Sequence, residues 1–433
     1  MDGLVGSVGK QVAPNSQALM EGKNGNRDSL DQFRTTVDRQ NRILALFGCY
    51  MYTDRHRFSY RIVLICFIAI SFIVLSVYSA VQTWGDMGQV VLSIVAVFYA
   101  IVGVARLAVA ISNPAGCYRS LRLAEETYRH ANGAHAGEQG VLAKYTALFC
   151  NSVTLYTYSF LVGVFIVALM PFGCYLVLGE RFLPLGIAIP FTDGETVNGF
   201  WCTLAVQLVY ILFGPLALIP SQNIYFALIF NICLQYELLI ERLKQLDNMI
   251  RCDGASAGNT PTKGCAVRDQ LVRIIQIQQR STNYITHIES LYHLQTFVEF
   301  LCNSLQVALT LNVLHRSFWL PGFFVLPVAI VQMLILCSLG TLIELKSDQF
   351  TNHLYGIAWS EMDLPLQAMF KFVLNNAQKP TRLTCGRFAV INMNLFMAYY
   401  EMSYGLNVEM HKQNHVASVV ALSCKIAKHR GRE

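Results

Sequence analysis

The polar groups that could do chemistry in this chain stand inside long apolar runs. In the stretch Phe388–Leu406 the amides Asn392 and Asn394 and the carboxylate Glu401 lie among Phe396, Met397 and Met402. A helix that meets lipid all round cannot carry such groups cheaply, and at membrane depth they face protein or water. Seven residues is two helical turns to within about 20°. Asn394, Glu401 and the Tyr404–Gly405 pair therefore fall near one stripe. A ring of such carboxylates favours cations in a pore. The other reading of Glu401 is a neutral acid buried against a neighbouring helix, and spacing leaves both open.

A second group is aromatic. Tyr156, Tyr158, Phe160, Phe165 and Met170, with Trp201, Gln207 and Tyr210, run toward one end of two adjacent apolar stretches, and Ser93 and Val97 stand ready to add a third wall. An apolar pocket with a few polar groups is the usual small-molecule site. Ordinary helix packing or an interfacial aromatic belt explains any one of these residues as well. Arg106 sits near the inner end of its run, where snorkelling to the aqueous side is the expected solution and a gating role the other reading. His287 and His293, six apart, lie on different helix faces and read as surface residues, not as ligands for a metal.

No GxSxG, HExxH or glycine-rich phosphate loop occurs, so no enzyme constellation and no cofactor site is indicated. The 13 cysteines form no CxxC pair, which argues against zinc. Cys66, Cys202, Cys302 and Cys337 lie inside apolar runs and read as small hydrophobes. Cys174 and Cys202 fall near the same predicted membrane face, and a bond between them is left open.

The elements that position these groups are membrane helices. Of 433 residues 54% are hydrophobic and 14% charged, against about 25% charged in soluble domains; mean hydropathy is +0.41. Seven apolar stretches occur, Ile62–Val81, Val90–Ile111, Val153–Leu178, Phe200–Phe230, Phe297–Leu314, Phe323–Ile343 and Phe388–Leu406, and a span needs about 20 residues. The fold class expected is an all-α integral membrane protein with seven transmembrane helices. The net charge of +6 comes with no basic block interleaved with aromatics, so nucleic acid is not an expected partner. The first 58 residues hold no apolar signal segment, so the first span is expected to act as its own insertion signal.

Charge sets the orientation. Segments 1–61, 112–147, 241–295 and 345–387 carry nine, four, seven and five Lys or Arg, 25 in all, while the intervening loops carry only Arg181 and Arg316. The N-terminus is thus expected in the cytoplasm, the opposite of a G-protein-coupled receptor. The five Lys and Arg of 409–433 disagree with a seventh crossing, and this tail reads as an atypical end. Along the chain we expect a disordered 1–28, a short amphipathic helix at Asp38–Tyr52 within a cytoplasmic segment 1–58, helices one to six over 59–343 and a turn-rich outer loop at 179–199. The second span should end at Asn113-Pro114, with a helix at Tyr118–Ala131 beyond it. Pro215 and Pro220 should kink the fourth span. Leu234, Leu238, Leu239, Leu243 and Leu246 keep helical spacing past the fourth span, as do Leu271, Ile274, Ile275, Tyr284, Ile288 and Leu291 before the fifth. Helices four and five should therefore extend into the cytoplasm, joined by a flexible 252–265, and meet an anchor region at 344–385. These amphipathic faces pack either within one subunit or between subunits.

The second half resembles the insect odorant receptor family. Ile288-Glu289-Ser290-Leu291-Tyr292 leads to Phe297-Val298-Glu299-Phe300-Leu301-Cys302-Asn303-Ser304-Leu305. Cys337-Ser338-Leu339-Gly340 follows, then Ser347, His353, Tyr355 and Trp359, then Gln378-Lys379-Pro380, Leu383-Thr384-Cys385-Gly386-Arg387-Phe388 and Ser403-Tyr404. Two places depart from the pattern: Gln278 stands where the family usually shows His, and a basic tail follows Ser403-Tyr404. The resemblance implies an odorant-binding tuning subunit of a heteromeric, ligand-gated nonselective cation channel. Its partners would be a shared co-receptor subunit, small volatile organic ligands and membrane lipid, and its place the plasma membrane of olfactory sensory neurons. It further implies a ligand pocket in the outer half, with Ser93, Val97, Tyr156, Tyr158, Phe165, Trp201, Gln207 and Tyr210 as candidates. It makes 386–408 the pore-lining seventh helix, with Asn394, Glu401, Met402 and Tyr404 as pore candidates. A gustatory-type receptor acting without the co-receptor is the alternative, and a G-protein-coupled receptor a remoter one.

The charge asymmetry is testable. An epitope tag at residue 1 should stain only after permeabilisation and a tag within 185–195 without it; the reverse pattern would overturn the orientation.

Overall fold

The computed structural model describes residues 15–46, 48, 60–131, 136–179, 181–190, 192, 196–254, 261–379, 381–401 and 405. The described residues form a helical bundle. Its long elements are α1 (Asn15–Leu46), α2 (Tyr60–Gln82), α3 (Met87–Ser112), α4 (Pro114–Ala131), α5 (Ala136–Leu178), α6 (Val197–Gly254), α7 (Pro261–Arg316), α8 (Leu320–Tyr355) and α9 (Leu364–Ala377). A two-stranded hairpin, β1 (Thr384–Cys385) with β2 (Ala389–Val390), and a helical segment 393–401 follow. Among the described residues six helices, α2, α3, α5, α6, α7 and α8, are long and apolar enough to cross a bilayer. The chain is a multi-pass membrane protein. On α2 the side chains of Val63, Leu64, Phe67, Ile70, Val74, Val77 and Val81 are exposed at helical spacing, a lipid-facing stripe that would aggregate in water.

Local chemistry sets the boundaries. The Asp86 carboxylate caps α3, accepting the N–H groups of Gly88 (2.9 Å) and Gln89 (3.3 Å). Asn113-Pro114 ends α3 as expected, but Pro114 also opens α4 at its first position, four residues earlier than expected. There its missing N–H costs nothing, and Asn113 Oδ1 accepts the Gly116 N–H at 2.9 Å. Pro215 and Pro220 lie inside an unbroken α6. Beside Pro220 the Ser221 hydroxyl donates to the carbonyls of Ala217 and Leu218, 3.0 Å each. Such side-chain donors make prolines tolerable in membrane helices.

The 58 residues of α6 and 56 of α7 reach about 85 Å at 1.5 Å per residue, far beyond a hydrocarbon core of about 30 Å. Their extensions carry the expected stripes. Leu234, Leu238, Leu239, Leu243 and Leu246 face Leu271, Ile274, Tyr284 and Ile288, all buried. Leu121, Ala124 and Tyr128 of α4, Leu142, Tyr145 and Phe149 of α5, Phe350 and Leu354 of α8, and Phe370 and Val373 of α9 complete this core. These faces are buried within the single chain.

Three expectations are corrected here. The N-terminal helix is not a short Asp38–Tyr52 segment. It runs Asn15–Leu46, into the stretch expected to be disordered, while 49–59 lie outside the described residues. It is held by Phe33 stacked on Tyr128 at 4.5 Å and by Arg34 paired with Glu125. The loop 252–265 is largely helix end and helix start, with only 255–260 outside the described residues. The 384–390 hairpin is strand in a chain expected to be all helix. The tail 409–433 lies outside the described residues.

Leu239 is fully buried and Leu294 is 63% exposed. Leu239→Ala should cost about 2–5 kcal/mol through the cavity it leaves, read as a lower unfolding midpoint in detergent. Leu294→Ala should stay within about 0.5 kcal/mol.

Candidate ligand cavity and last helix

A cavity of about 1580 Å³, half open to the outside of the bundle, lies between α2, α3, α5, α6 and α8. It extends from Phe182, Pro184 and Leu185 of the loop after α5 to Arg61 and Ser112 at the other end. Its wall is mostly aliphatic and aromatic, with polar groups scattered over it, among them Ser152, Ser159, Ser338, Tyr99, Tyr156, Tyr210 and Gln332. Small-molecule pockets hold about 300–1,000 Å³, so a volatile of ten or so heavy atoms would fill one part. Tyr210 packs edge-on against Phe72 at 4.8 Å, and its hydroxyl meets Ser71 at 3.1 Å. Gln306 of α7 donates to the Tyr99 hydroxyl at 3.1 Å.

Of the eight expected ligand contacts, Tyr156 and Tyr210 line this cavity. On α5 the lining positions are Ser152, Leu155, Tyr156, Ser159, Phe160, Gly163, Val164, Val167 and Met170. Tyr158 and Phe165, 66% and 65% exposed, lie on the opposite face with the lipid-facing side chains. Trp201 packs at the rim with Phe172, Tyr175 and Phe200. Val97 is half-buried off the wall. Ser93 and Gln207 are fully enclosed and grip the loop after α5. Ser93 and Ser79 donate to the Gly186 carbonyl at 3.1 and 2.5 Å, while Gln207 donates to the Ile187 carbonyl at 2.7 Å and accepts the Leu185 N–H at 3.1 Å. Gly186 permits this at φ +59°, where a Cβ would stand 3.0 Å from Leu92 Cδ2. Sequence reasoning missed Phe72, Tyr99, Phe324 and Gln332. The 3–4 spacing of lining positions on α5 was the signal available, overridden by the clustering of aromatics.

Arg106 does not snorkel. It is 4% exposed, with Nε 2.5 Å from Glu299 Oε1 and Nη1 donating to the Leu218 carbonyl at 3.2 Å. Glu299 also accepts from Gln295 at 3.0 Å. The pair forms because each charge at this depth is costly alone, and it ties α3 to α6 and α7 behind the cavity wall.

The segment 393–401 presents Met393, Asn394, Met397, Ala398, Tyr400 and Glu401 as exposed, while Leu395, Phe396 and Tyr399 are half-buried. The Tyr399 ring lies edge-on to Phe300 at 6.0 Å and its hydroxyl donates to the Ser304 carbonyl. Met402 and Tyr404 lie outside the described residues. Asn392 is not a polar group within the helix. It caps the helix start, accepting the Leu395 N–H at 3.0 Å and donating to Glu344 at 3.2 Å.

Cys174 and Cys202 are both free thiols, and no cluster of metal-ligating side chains occurs among the described residues. Burial pushes the thiols of Cys117 and Cys385 up to about 11, so neither supplies a thiolate nucleophile near neutral pH.

The ion pair gives a double-mutant test. Arg106→Met strands a buried carboxylate and should cost about 3–5 kcal/mol. Arg106→Met with Glu299→Met should recover most of it. Thermal stability and surface abundance of single and double variants check this; additive losses would show that the two charges are not partners.

Residues 86–404 match the family model described as 7tm Odorant receptor. Among curated proteins, "Putative odorant receptor 83c" of Drosophila melanogaster is 21% identical over 251 residues, 56% of this chain and 62% of that protein. "Odorant receptor 10" of Aedes albopictus is 23% identical over 231 residues, 52% of this chain and 59% of that protein. The matched part thus spans about three fifths of these relatives. The solved structure of the insect olfactory receptor OR5 from Machilis hrabei superposes with a TM-score of 0.67 at 15% identity, covering 88% of this chain and 98% of that one. Its complex with eugenol gives 0.66. The fold is that of an insect olfactory receptor, and the chain belongs to the 7tm Odorant receptor family.

Proposed function

We propose that this protein is the odorant-binding tuning subunit of a ligand-gated, nonselective cation channel, assembled with a shared co-receptor in the plasma membrane of olfactory sensory neurons. The observation that carries the reading is the largely apolar cavity between α2, α3, α5, α6 and α8, with scattered hydroxyl and amide groups on its wall. It suits a small volatile organic molecule recognised by shape and one or two hydrogen bonds. The Machilis hrabei receptor in complex with eugenol makes volatile phenols the first class to try. Asn394 and Glu401 on the exposed side of 393–401 suit a helix that lines a pore with its polar stripe and holds the bundle with Leu395, Phe396 and Tyr399. A ligand of about ten heavy atoms has limited binding free energy, part of which biases opening, so half-activation should fall in the micromolar range.

The test is recording from cells expressing this chain alone or with the co-receptor, against a panel of alcohols, ketones, esters and phenols that includes eugenol. The expected result is silence alone and a cation current with the co-receptor, unaffected by G-protein blockade. Robust current from the chain alone would favour a gustatory-type receptor, and sensitivity to the blockade a G-protein-coupled one. Glu401→Gln should lower calcium relative to sodium permeability, read as a shift in reversal potential, with ligand potency unchanged.

A further inference from the structure

The start of the last helix is gripped by one turn of α8, and that same turn walls the cavity. Ser338, Leu339 and Leu342 line the cavity. Gly340 and Glu344 lie two residues beyond Ser338 and Leu342, about 200° round the helix, and turn toward the segment 391–393. At Gly340 the two backbones meet so closely that a Cβ would stand 2.0 Å from the Ile391 carbonyl oxygen. The Thr341 hydroxyl accepts the Met393 N–H at 2.8 Å while donating to the Cys337 carbonyl at 3.0 Å. Both its roles are thereby filled, and one free N–H of the helix start is satisfied from outside. Glu344 receives the Asn392 amide at 3.2 Å and Arg382 Nε at 3.1 Å.

The segment so gripped has little freedom of its own. The Ile391 N–H donates to the Leu383 carbonyl at 2.9 Å and Ile391 is 1% exposed. The β1–β2 hairpin pairs Thr384 with Val390, and the Gly386 N–H reaches the His293 carbonyl at 3.1 Å. A shift of α8 at Ser338–Leu342 is therefore handed to residues 391–393, because a close-packed contact between two backbones cannot absorb it by a change of rotamer.

We propose that Gly340, Thr341 and Glu344 are positioning residues that couple occupancy of the cavity to the placement of the last helix. The inference rests on the channel reading above and adds the route from ligand to pore. Thr341 is the sharpest probe. Thr341→Val keeps the shape and removes the acceptor for the Met393 N–H; Thr341→Ser keeps the acceptor.

The experiment uses the full chain with its co-receptor and the panel member that gives the largest wild-type current. Thr341→Val should raise the half-activating concentration at least tenfold, or cut the maximal current at least fivefold. Surface abundance and the ligand-induced thermal shift of the purified complex should stay within twofold of wild type. Thr341→Ser should behave as wild type, and Gly340→Ala should reproduce the Thr341→Val defect. Without any ligand, hydrogen exchange over 391–396 should be faster in Thr341→Val than in Thr341→Ser. Thr341→Val currents matching wild type, unchanged exchange, or a parallel loss of binding and current would each overturn the coupling. A wild-type complex silent to the whole panel would instead sink the channel reading, and the coupling with it.

Discussion

Arg106 and Glu299 stand inside helices long enough to cross a bilayer, and the rest of the bundle is arranged so that they meet. Each is 4% exposed. In hydrocarbon neither charge has water to turn to, so α3 and α7 must keep one register and one separation. Leu218 of α6 offers its carbonyl to the same guanidinium, which brings the proline-containing stretch of α6 into the arrangement. The cavity lies against this tie, with Gly103 and Leu107 of α3 and Leu218 of α6 in its wall. The cavity thus has one wall tied by a buried ion pair, and α8 lines it without taking part in that tie.

The same requirement explains which parts of the molecule were legible in the sequence. Apolar length and helical period are local properties, and they gave six of the seven expected spans among the described residues, the extensions of α6 and α7, and the leucines of the core those extensions share. Partners are not local. Ser93 and Gln207 read as pocket groups because a small-molecule site usually sets a few polar groups in an apolar wall. Their partner is the irregular backbone at Leu185–Ile187, and no periodicity announces where a loop folds back. Arg106 read as a snorkelling end group because Glu299, 193 positions away, carries no mark of being its counter-ion. Asn392 read as a polar flaw in a span because its role as a cap depends on where the helix starts, and that is set by the hairpin before it.

Tyr158 and Phe165 carry a different lesson. Aromatic character groups them with Tyr156, yet two residues along a helix from a cavity position is about 200° of rotation, enough to point a ring at lipid. The lining positions of α5 instead include Ser159 and Gly163, small residues that make room. A cavity is written in a sequence as much by what is missing from a helix face as by what is present. At Gly340 the same holds for a contact: the absent side chain is what lets Ile391 approach.

A ligand acting from the cavity, and not from the aromatic exterior of the bundle, would meet the wall at Ser159 and not the ring of Tyr158. The measurement that separates the two is the half-activating concentration of Ser159→Phe and Tyr158→Ala channels at matched surface abundance. Filling the cavity at Ser159 is expected to raise that concentration at least tenfold, about 1.4 kcal/mol, while removing the exposed ring of Tyr158 leaves it unchanged. A shift at Tyr158 with none at Ser159 would place the ligand outside the cavity.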